Sequence, residues 1–378
     1  MLLPLRMRIA VDGRFLRQNA IQNHRIFVND VILHLIKQYG EHHFLLLADT
    51  DKSSLINLPQ NVTLVTITPK PTNIVLYKWW YDIKLPLILK KQKAEIFICA
   101  YGIASLLTSI PQLMIVPDFA FLNHSSYASK MVLFYKKFAR QFLKKAAAVA
   151  VFSDFNKKEI MGKYAVSEDK ITVIGNAADS SFKPLLWEER EKVKEQYAQG
   201  CEYFLFTGYY NSQKNTILLL KSFSVFKKWQ KTNMKLLIAG NIEKNKDFSE
   251  KLNTYKYKNE VFFEENLSIK ELAQVTAGAY AAILPFNEGF AMPVLEAMQC
   301  EVPVITSADS IMAEIAGDAA LYADPARSEE IAGQMKVIFK DEQLRNRLIA
   351  AGKERAKQYN WNKTIALTWQ AVEKAVSR

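Results

Sequence analysis

Two short segments hold the residues best able to do chemistry. The first, Pro285-Phe286-Asn287-Glu288-Gly289-Phe290-Ala291-Met292-Pro293-Val294-Leu295-Glu296-Ala297-Met298, follows the apolar run Ala281–Leu284. Pro293 suits the first turn of a helix, where its missing N–H costs nothing, so the spacing predicts a helix starting near residue 292. The first N–H groups of a helix have no partner inside it, and with the positive end of the dipole they suit a phosphate. Glu288 precedes this helix and Glu296 lies about one turn inside it, so two carboxylates flank the anion site and can accept bonds from sugar hydroxyls. A capping acid and a solvated helix glutamate would have the same spacing, and the residues alone leave both readings open. The second segment, Gly208-Tyr209-Tyr210-Asn211-Ser212-Gln213-Lys214-Asn215, leaves the run Tyr203–Thr207 and opens a predicted helix over Thr216–Trp229. Gly208 permits close backbone approach, and Lys214 can set a compact positive charge over a diphosphate. Taken alone, the segment reads rather as an exposed loop lysine, with Asn215 as helix N-cap.

Both segments leave the ends of short apolar runs, and such runs recur along the whole chain. Strands are expected at Arg8–Val11, Phe44–Ala48, Leu64–Ile67, Ile96–Cys99, Leu113–Val116, Ala148–Phe152 and Ile171–Ile174. A second series follows at Tyr203–Thr207, Lys235–Ala239, Val261–Phe263, Ala281–Leu284, Val302–Thr306 and Ala320–Tyr322. Many are continuously apolar, as parallel strands covered on both faces require. Helical patterns lie between most of them, which predicts α/β architecture with two doubly wound, Rossmann-like parallel-sheet domains. The boundary is expected near residues 175–200, where Gly175-Asn176-Ala177-Ala178-Asp179 leads through Pro184 to a charged helix, Trp187–Gln199, and a turn at Gly200. The expected division is 1–180, 181–358, and a terminal helix over 359–378 that packs back on the first domain.

Composition removes several chemistries. Among the 13 glycines of the 378 residues the closest pair is Gly200 and Gly208. Neither a G-x-G-x-x-G turn nor a G-x-x-x-x-G-K loop exists. Cys99, Cys201 and Cys300 are about a hundred residues apart, which argues against a disulfide framework or a zinc ribbon. The five histidines form no H-E-x-x-H, and G-x-S-x-G is absent, which removes zincin and α/β-hydrolase readings. Met1–Arg6 is too soon charged for a signal peptide, and no apolar run reaches the ~18 residues of a membrane span. These features predict a cytoplasmic protein. The net charge of +12 is uneven: residues 1–180 carry 23 Lys and Arg against 13 Asp and Glu, and residues 181–378 carry 27 against 25. The first half is expected to meet something anionic.

Together the two segments resemble glycosyltransferase family 4, whose pattern joins a G-x-x-x-x-R-K-N loop to E-G-F-G-L-P-x-L-E-A-M about 75 residues later. The similarity continues through Ser153–Lys157, Ile171–Asn176, Val302–Ser307 and Ala313–Ala320. That resemblance implies the GT-B fold, two Rossmann-like domains facing across a cleft, and retaining transfer of a hexose from a nucleotide-diphosphate sugar. The acceptor would be a glycan or lipid-linked saccharide, in cell-surface polysaccharide or lipopolysaccharide synthesis. It further implies that Glu296 holds the nucleotide ribose and Glu288 the donor sugar. Lys214 and the backbone of Gly289, Phe290, Ala291 and Met292 would hold the diphosphate, with Gly208 and Gln213 in the same loop cradle and Asp118 near the donor sugar from the first domain. Glu288, Lys214 and Asp118 are thus the implied catalytic residues. No metal and no cofactor beyond the donor substrate is implied.

The sequence departs from that pattern at several points. Gln213 stands where the family has arginine, Ala291 replaces the second glycine of E-G-F-G, and Pro117 replaces a histidine before Asp118. Ala177 and Cys300 also replace customary glycines, and the loop Gln18–Arg25 lacks the family's glycines. A catalytically eroded GT-B protein that binds a nucleotide sugar or glycan is therefore the alternative. A nucleotide-sugar 2-epimerase would need first-domain acid–base residues that the sequence does not reveal. Two basic segments carry a further expectation. In Lys130–Lys145, Met131, Phe134, Phe138 and Phe142 form one stripe beside Lys137, Arg140 and Lys144, and Leu76–Lys93 sets Trp79, Trp80 and Tyr81 among Lys84, Lys90, Lys91 and Lys93. Both suit an anionic membrane surface at the cytosolic face, and both suit core packing with a solvated lysine face. No nucleic-acid reading motif accompanies the charge.

Overall fold

Runs of three to six apolar residues become parallel strands because each can be covered on both faces by the helices that follow it. The structure, a computed structural model, describes residues 6–13, 25–48, 58–100, 102–116, 130–207, 213–240, 246–285 and 291–378. The chain divides into two compact units, Met1–Asn176 with Trp361–Arg378, and Ala177–Asn360.

In the first unit the strands are β1 (Arg8–Asp12), β2 (His43–Ala48), β3 (Val62–Thr66), β4 (Ile96–Cys99), β5 (Gln112–Val116), β6 (Ala148–Val151) and β7 (Ile171–Val173). They form one parallel sheet in the order β3-β2-β1-β4-β5-β6-β7. The strand order reverses between β1 and β4, where open α/β sheets leave a crevice at their carboxyl edge. Just past β1, a Cβ on Gly13 would fall 2.3 Å from a Leu46 methyl carbon.

The terminal helix Trp361–Val376 belongs to this unit and packs along β5 and β6. Trp361 stacks on His34 at 4.1 Å and Trp369 on Tyr39 at 3.9 Å, and the Thr364 hydroxyl donates to the Asn176 carbonyl at 3.3 Å. His42 lies under Trp369 and its Nδ1 accepts the Met7 N–H at 3.0 Å. Burial pushes the pKa of that imidazole below the usual histidine value.

The two basic segments place most of their aromatics inside. Trp80, Tyr81, Phe134 and Phe142 are buried in the first unit's core, so of the two readings open for these rings core packing holds. Phe138 and Trp79 pack partly buried against the same core. The Leu76–Lys93 segment becomes a continuous helical rod: Ile74–Trp79, a wide π turn over Trp80–Lys84, and Leu85–Lys91. Pro86 explains the wide turn, because it cannot donate to a carbonyl one turn back and its ring crowds that position.

In the second unit the strands are β8 (Tyr203–Thr207), β9 (Lys235–Ala239), β10 (Val261–Glu264), β11 (Ala281–Leu284), β12 (Val304–Ser307) and β13 (Ala320–Ala323). The parallel order is β10-β9-β8-β11-β12-β13, with the reversal between β8 and β11. Its core joins buried Phe204, Leu205, Phe206 and Phe223 to Leu284, Val294 and Leu295. One helix differs from expectation. It runs from Gln213 to Trp229 and not from Thr216, because Gln213, Lys214 and Asn215 contain no helix breaker. Asn215 is therefore inside the helix and is not its N-cap.

Candidate active site

The reversal between β8 and β11 sets where the site must be. β8 and β11 are neighbours, with Ala281 opposite Phe204 and Ala282 opposite Leu205. From their carboxyl ends leave the connections that run to the helices Gln213–Trp229 and Met292–Gln299. Two helix N-termini thus begin from adjacent strand ends, the arrangement that holds phosphate in open α/β sheets. Gln213 and Lys214 are placed by their backbone in the first turn of the earlier helix. Gly208, Glu288, Gly289, Phe290, Pro117 and Asp118 lie outside the described residues. Ala291, Met292 and Glu296 are described, and the structure brings them together at the start of the later helix.

That start carries no side-chain cap. Asn73, Ser153, Ser268, Ser310 and Asp341 each accept an N–H of the following turn of their helices, whereas the helices after Leu186 and Arg327 also open without one. At residue 291 the N-cap is alanine, which has no oxygen to offer, and Pro293 occupies the first turn. The Ala291 carbonyl takes the Val294 and Leu295 N–H groups at 3.2 and 3.3 Å. The N-cap residue thus offers no side-chain acceptor to the first turn.

Ala291 is fully buried, with φ 53 and ψ 21, in the left-handed region. An L-residue there costs ~1–2 kcal/mol, whereas glycine adopts it freely. The backbone therefore keeps a glycine-type turn although the residue is alanine. Ala291→Gly is expected to stabilise the fold by about 0.5 kcal/mol, because relief of the strain outweighs the ~0.4–1 kcal/mol of added unfolded-chain entropy. Thermal denaturation checks this. A loss of about 1 kcal/mol, the ordinary penalty for glycine replacing alanine in a helix, would show that the turn carries no strain.

Glu296 keeps a small exposed portion one turn inside this helix, and it has no hydrogen-bonding or ionic partner among the described residues. Its carboxyl is pushed up to about 8, first by burial and then by the negative charge of Asp179. Asp179 is fixed by the Ser181 N–H, 2.8 Å from its Oδ1. The Gln299 side-chain amide, one turn beyond Glu296, reaches the Asp179 carbonyl at 3.5 Å. A buried carboxyl with acceptor capacity and no donor suits neutral hydroxyl partners better than a cation already in place.

Two acids escaped the sequence reading. Asp179 was visible only as part of a linker. Asp12 ends β1 at the first unit's own reversal point, where it is buried and accepts the Tyr81 hydroxyl at 2.7 Å. The signal was an acid closing an apolar strand just before Gly13, a place where a buried charge is otherwise unexpected.

Comparison with known proteins gives two family matches that between them account for most of the chain: Glycosyl transferases group 1 over residues 188–355 and Glycosyltransferase Family 4 over residues 26–182. The chain belongs to the group 1, family 4 glycosyltransferases. This family 4 glycosyltransferase is 27% identical over 243 residues to O-antigen chain mannosyltransferase B of Escherichia coli, a match covering 64% of each chain. The chain thus spans just under two thirds of that relative's length. It is 25% identical over 274 residues to O-antigen chain mannosyltransferase RfbU of Salmonella typhimurium, covering 72% of each. A solved structure of Anabaena Alr3699/HepE, in complex with UDP-glucose, shares the fold with a TM-score of 0.72 at 15% identity, over 98% of this chain and all of that one. The two parallel-sheet units are accordingly those of the GT-B fold.

Proposed function

We propose that this glycosyltransferase moves a hexose, with retention, from a nucleotide-diphosphate sugar to a glycan or lipid-linked saccharide, in the synthesis of a cell-surface polysaccharide or lipopolysaccharide. The observation that carries this reading is the helix Met292–Gln299. It opens without a side-chain cap at the carboxyl end of β11, with Glu296, an acid that has no partner among the described residues, one turn in. In this reading the N–H groups at Phe290–Met292 and the Lys214 ammonium hold the diphosphate. Glu296 takes the ribose hydroxyls, Glu288 the sugar, and Asp118 approaches the donor sugar from the first unit. The bond from the anomeric carbon to the diphosphate oxygen breaks, and the acceptor oxygen bonds that carbon on the same face. The acceptor proton passes to a phosphate oxygen. The residues contribute positioning and charge stabilisation of the leaving diphosphate. The retained left-handed turn at Ala291 supports a working donor grip over an eroded one. The mannosyl transfer named in both O-antigen relatives makes a mannose-bearing donor the first to try.

A thermal-shift panel of nucleotide-diphosphate sugars tests the reading. A true donor at 100 times its dissociation constant should stabilise by about 2.7 kcal/mol, and the matched donor should then give an axial or equatorial linkage of unchanged anomeric sense with a suitable acceptor. No shift with any nucleotide sugar counts against the reading, and an inverted product removes the retaining part of it.

A further inference from the structure

One buried hydroxyl of the second unit has no hydrogen-bonding partner among the described residues. Thr216 closes the first turn of the helix Gln213–Trp229 and is 0% exposed, and its Oγ1 meets neither a donor nor an acceptor. Comparable hydroxyls turn back on their own helix. Ser222 donates to the Leu218 carbonyl at 2.9 Å, Ser224 to the Leu220 carbonyl at 3.0 Å and Thr276 to the Leu272 carbonyl at 2.7 Å, each reaching the residue four earlier. For Thr216 that residue is Ser212, ahead of the helix. No other buried hydroxyl described in the second unit is left unpaired.

The position of this hydroxyl follows from its helix. Leu219, Phe223 and Phe226, three, seven and ten residues further on, are buried in the second unit's core, so Thr216 heads the core-facing side of the helix. Phe226 meets Phe204, near the start of β8, edge to face at 5.1 Å. The helix therefore runs back along β8, and Thr216 lies about 15 Å nearer the carboxyl edge than Phe226 does. Cα–Cβ bonds on a helix lean toward its N-terminus, which turns this side chain toward the edge where β8 and β11 lie side by side. Lys214 shares its turn and no acid does, and the first N–H groups of a helix find no carbonyl inside it. Leaving a buried hydroxyl unmade is costly, and valine would fill the same space without that cost. A ligand that supplies the missing acceptor accounts for threonine here, and the positive end of the helix favours an anionic one.

We propose that Thr216 is a donor-binding residue whose hydroxyl donates to a phosphate oxygen of the nucleotide diphosphate. The contact is neutral and its arm is short, so it fixes where the diphosphate sits, while Lys214 supplies charge. The inference rests on the transfer reading for the identity of the ligand, but its test does not require turnover. A sugar hydroxyl in the same place would gain nothing from the helix end or the lysine. A trapped water would leave nucleotide affinity independent of the hydroxyl.

The full chain is titrated calorimetrically with UDP and with GDP, as wild type, Thr216→Val and Thr216→Ser. Whichever nucleoside diphosphate the wild type binds should be held about tenfold more weakly by the valine variant, the loss expected for a hydrogen bond to a charged group. The serine variant keeps the hydroxyl and should stay within about threefold of the wild type. Inorganic pyrophosphate, as a competitor, should show an inhibition constant about tenfold higher in the valine variant. The thermal transition of the ligand-free valine variant should hold or rise, because an unpaired buried hydroxyl is gone. The proposal is overturned by wild-type nucleotide affinity in the valine variant, by a serine variant as weak as valine, by equal pyrophosphate competition in both, or by a ligand-free transition that falls. A wild type that binds neither nucleotide strikes the transfer reading and this assignment with it. Wild-type binding that Thr216→Val leaves untouched strikes the assignment alone.

Discussion

Lys214→Ala is expected to lower turnover by about 10²–10³-fold, the usual cost of removing one preorganised group that stabilises developing charge, while moving the thermal transition hardly at all. The position sits in the first turn of the helix that follows β8, where, in the proposed reading, its ammonium would meet a diphosphate whose negative charge grows as the sugar bond breaks. Its share should be larger than usual because Gln213 replaces the arginine that would otherwise assist it. Gln213→Arg is the complementary variant. A restored charge-assisted contact is worth about 1.5–3 kcal/mol, so leaving-group stabilisation should rise by roughly 10–150-fold if the neighbouring site is otherwise intact. Glu288→Gln should match the loss expected at Lys214, since it keeps size and removes the charge that the proposed reading assigns to the sugar. The effect should appear in kcat more than in KM, because the charge being stabilised exists mainly in the transition state. Full turnover in both Lys214→Ala and Glu288→Gln would dismiss the assignment of this crevice as the donor site.

The parts of the structure that follow from periodicity were legible in advance, and those that follow from local backbone choice were not. Runs such as Phe204-Leu205-Phe206 and Ala281-Ala282-Ile283-Leu284 have no polar side to expose, so they could only be central parallel strands, and they are. Pro293 marked the start of its helix to the residue. The helix beginning at Gln213 was placed three residues late, since glutamine, lysine and asparagine are tolerated both in a loop and in a first turn. Ala291 was readable as a missing glycine, yet only the structure shows that the chain keeps the left-handed turn regardless. Asp12 and Asp179 were illegible for a different reason. Their significance lies in Tyr81 and Glu296, which stand 69 and 117 positions away in the chain, and no short-range pattern encodes such a meeting.

Donor affinity should rise with pH up to about 8, and Glu296 is the reason. In the free protein its carboxyl is pushed up to about 8 by burial and by Asp179, so at pH 6 only about one molecule in a hundred carries the carboxylate. Ribose hydroxyls donate best to the ionised form, so donor binding favours loss of the proton and proton binding opposes the donor. If the ionised form alone is competent, apparent affinity scales with its population, and the dissociation constant should fall about 50-fold between pH 6 and pH 8. A nucleotide-diphosphate sugar is the right probe, because its diphosphate is esterified at both ends and lacks the terminal phosphate ionisation near pH 6. Among the described neighbours, burial pushes the adjacent Cys300 thiol far up, and Asp179 acts on Glu296 by repulsion. Glu296→Gln is the deciding control: it mimics the neutral acid at every pH, so its affinity should lie at or below that of the wild type at pH 6 and stay flat to pH 8. Calorimetry of the wild type at pH 7 should also register release of close to one proton per donor bound, with none released by the variant. A wild-type affinity that is level across this range, or a variant that keeps the slope, would place the ribose contact on some other group.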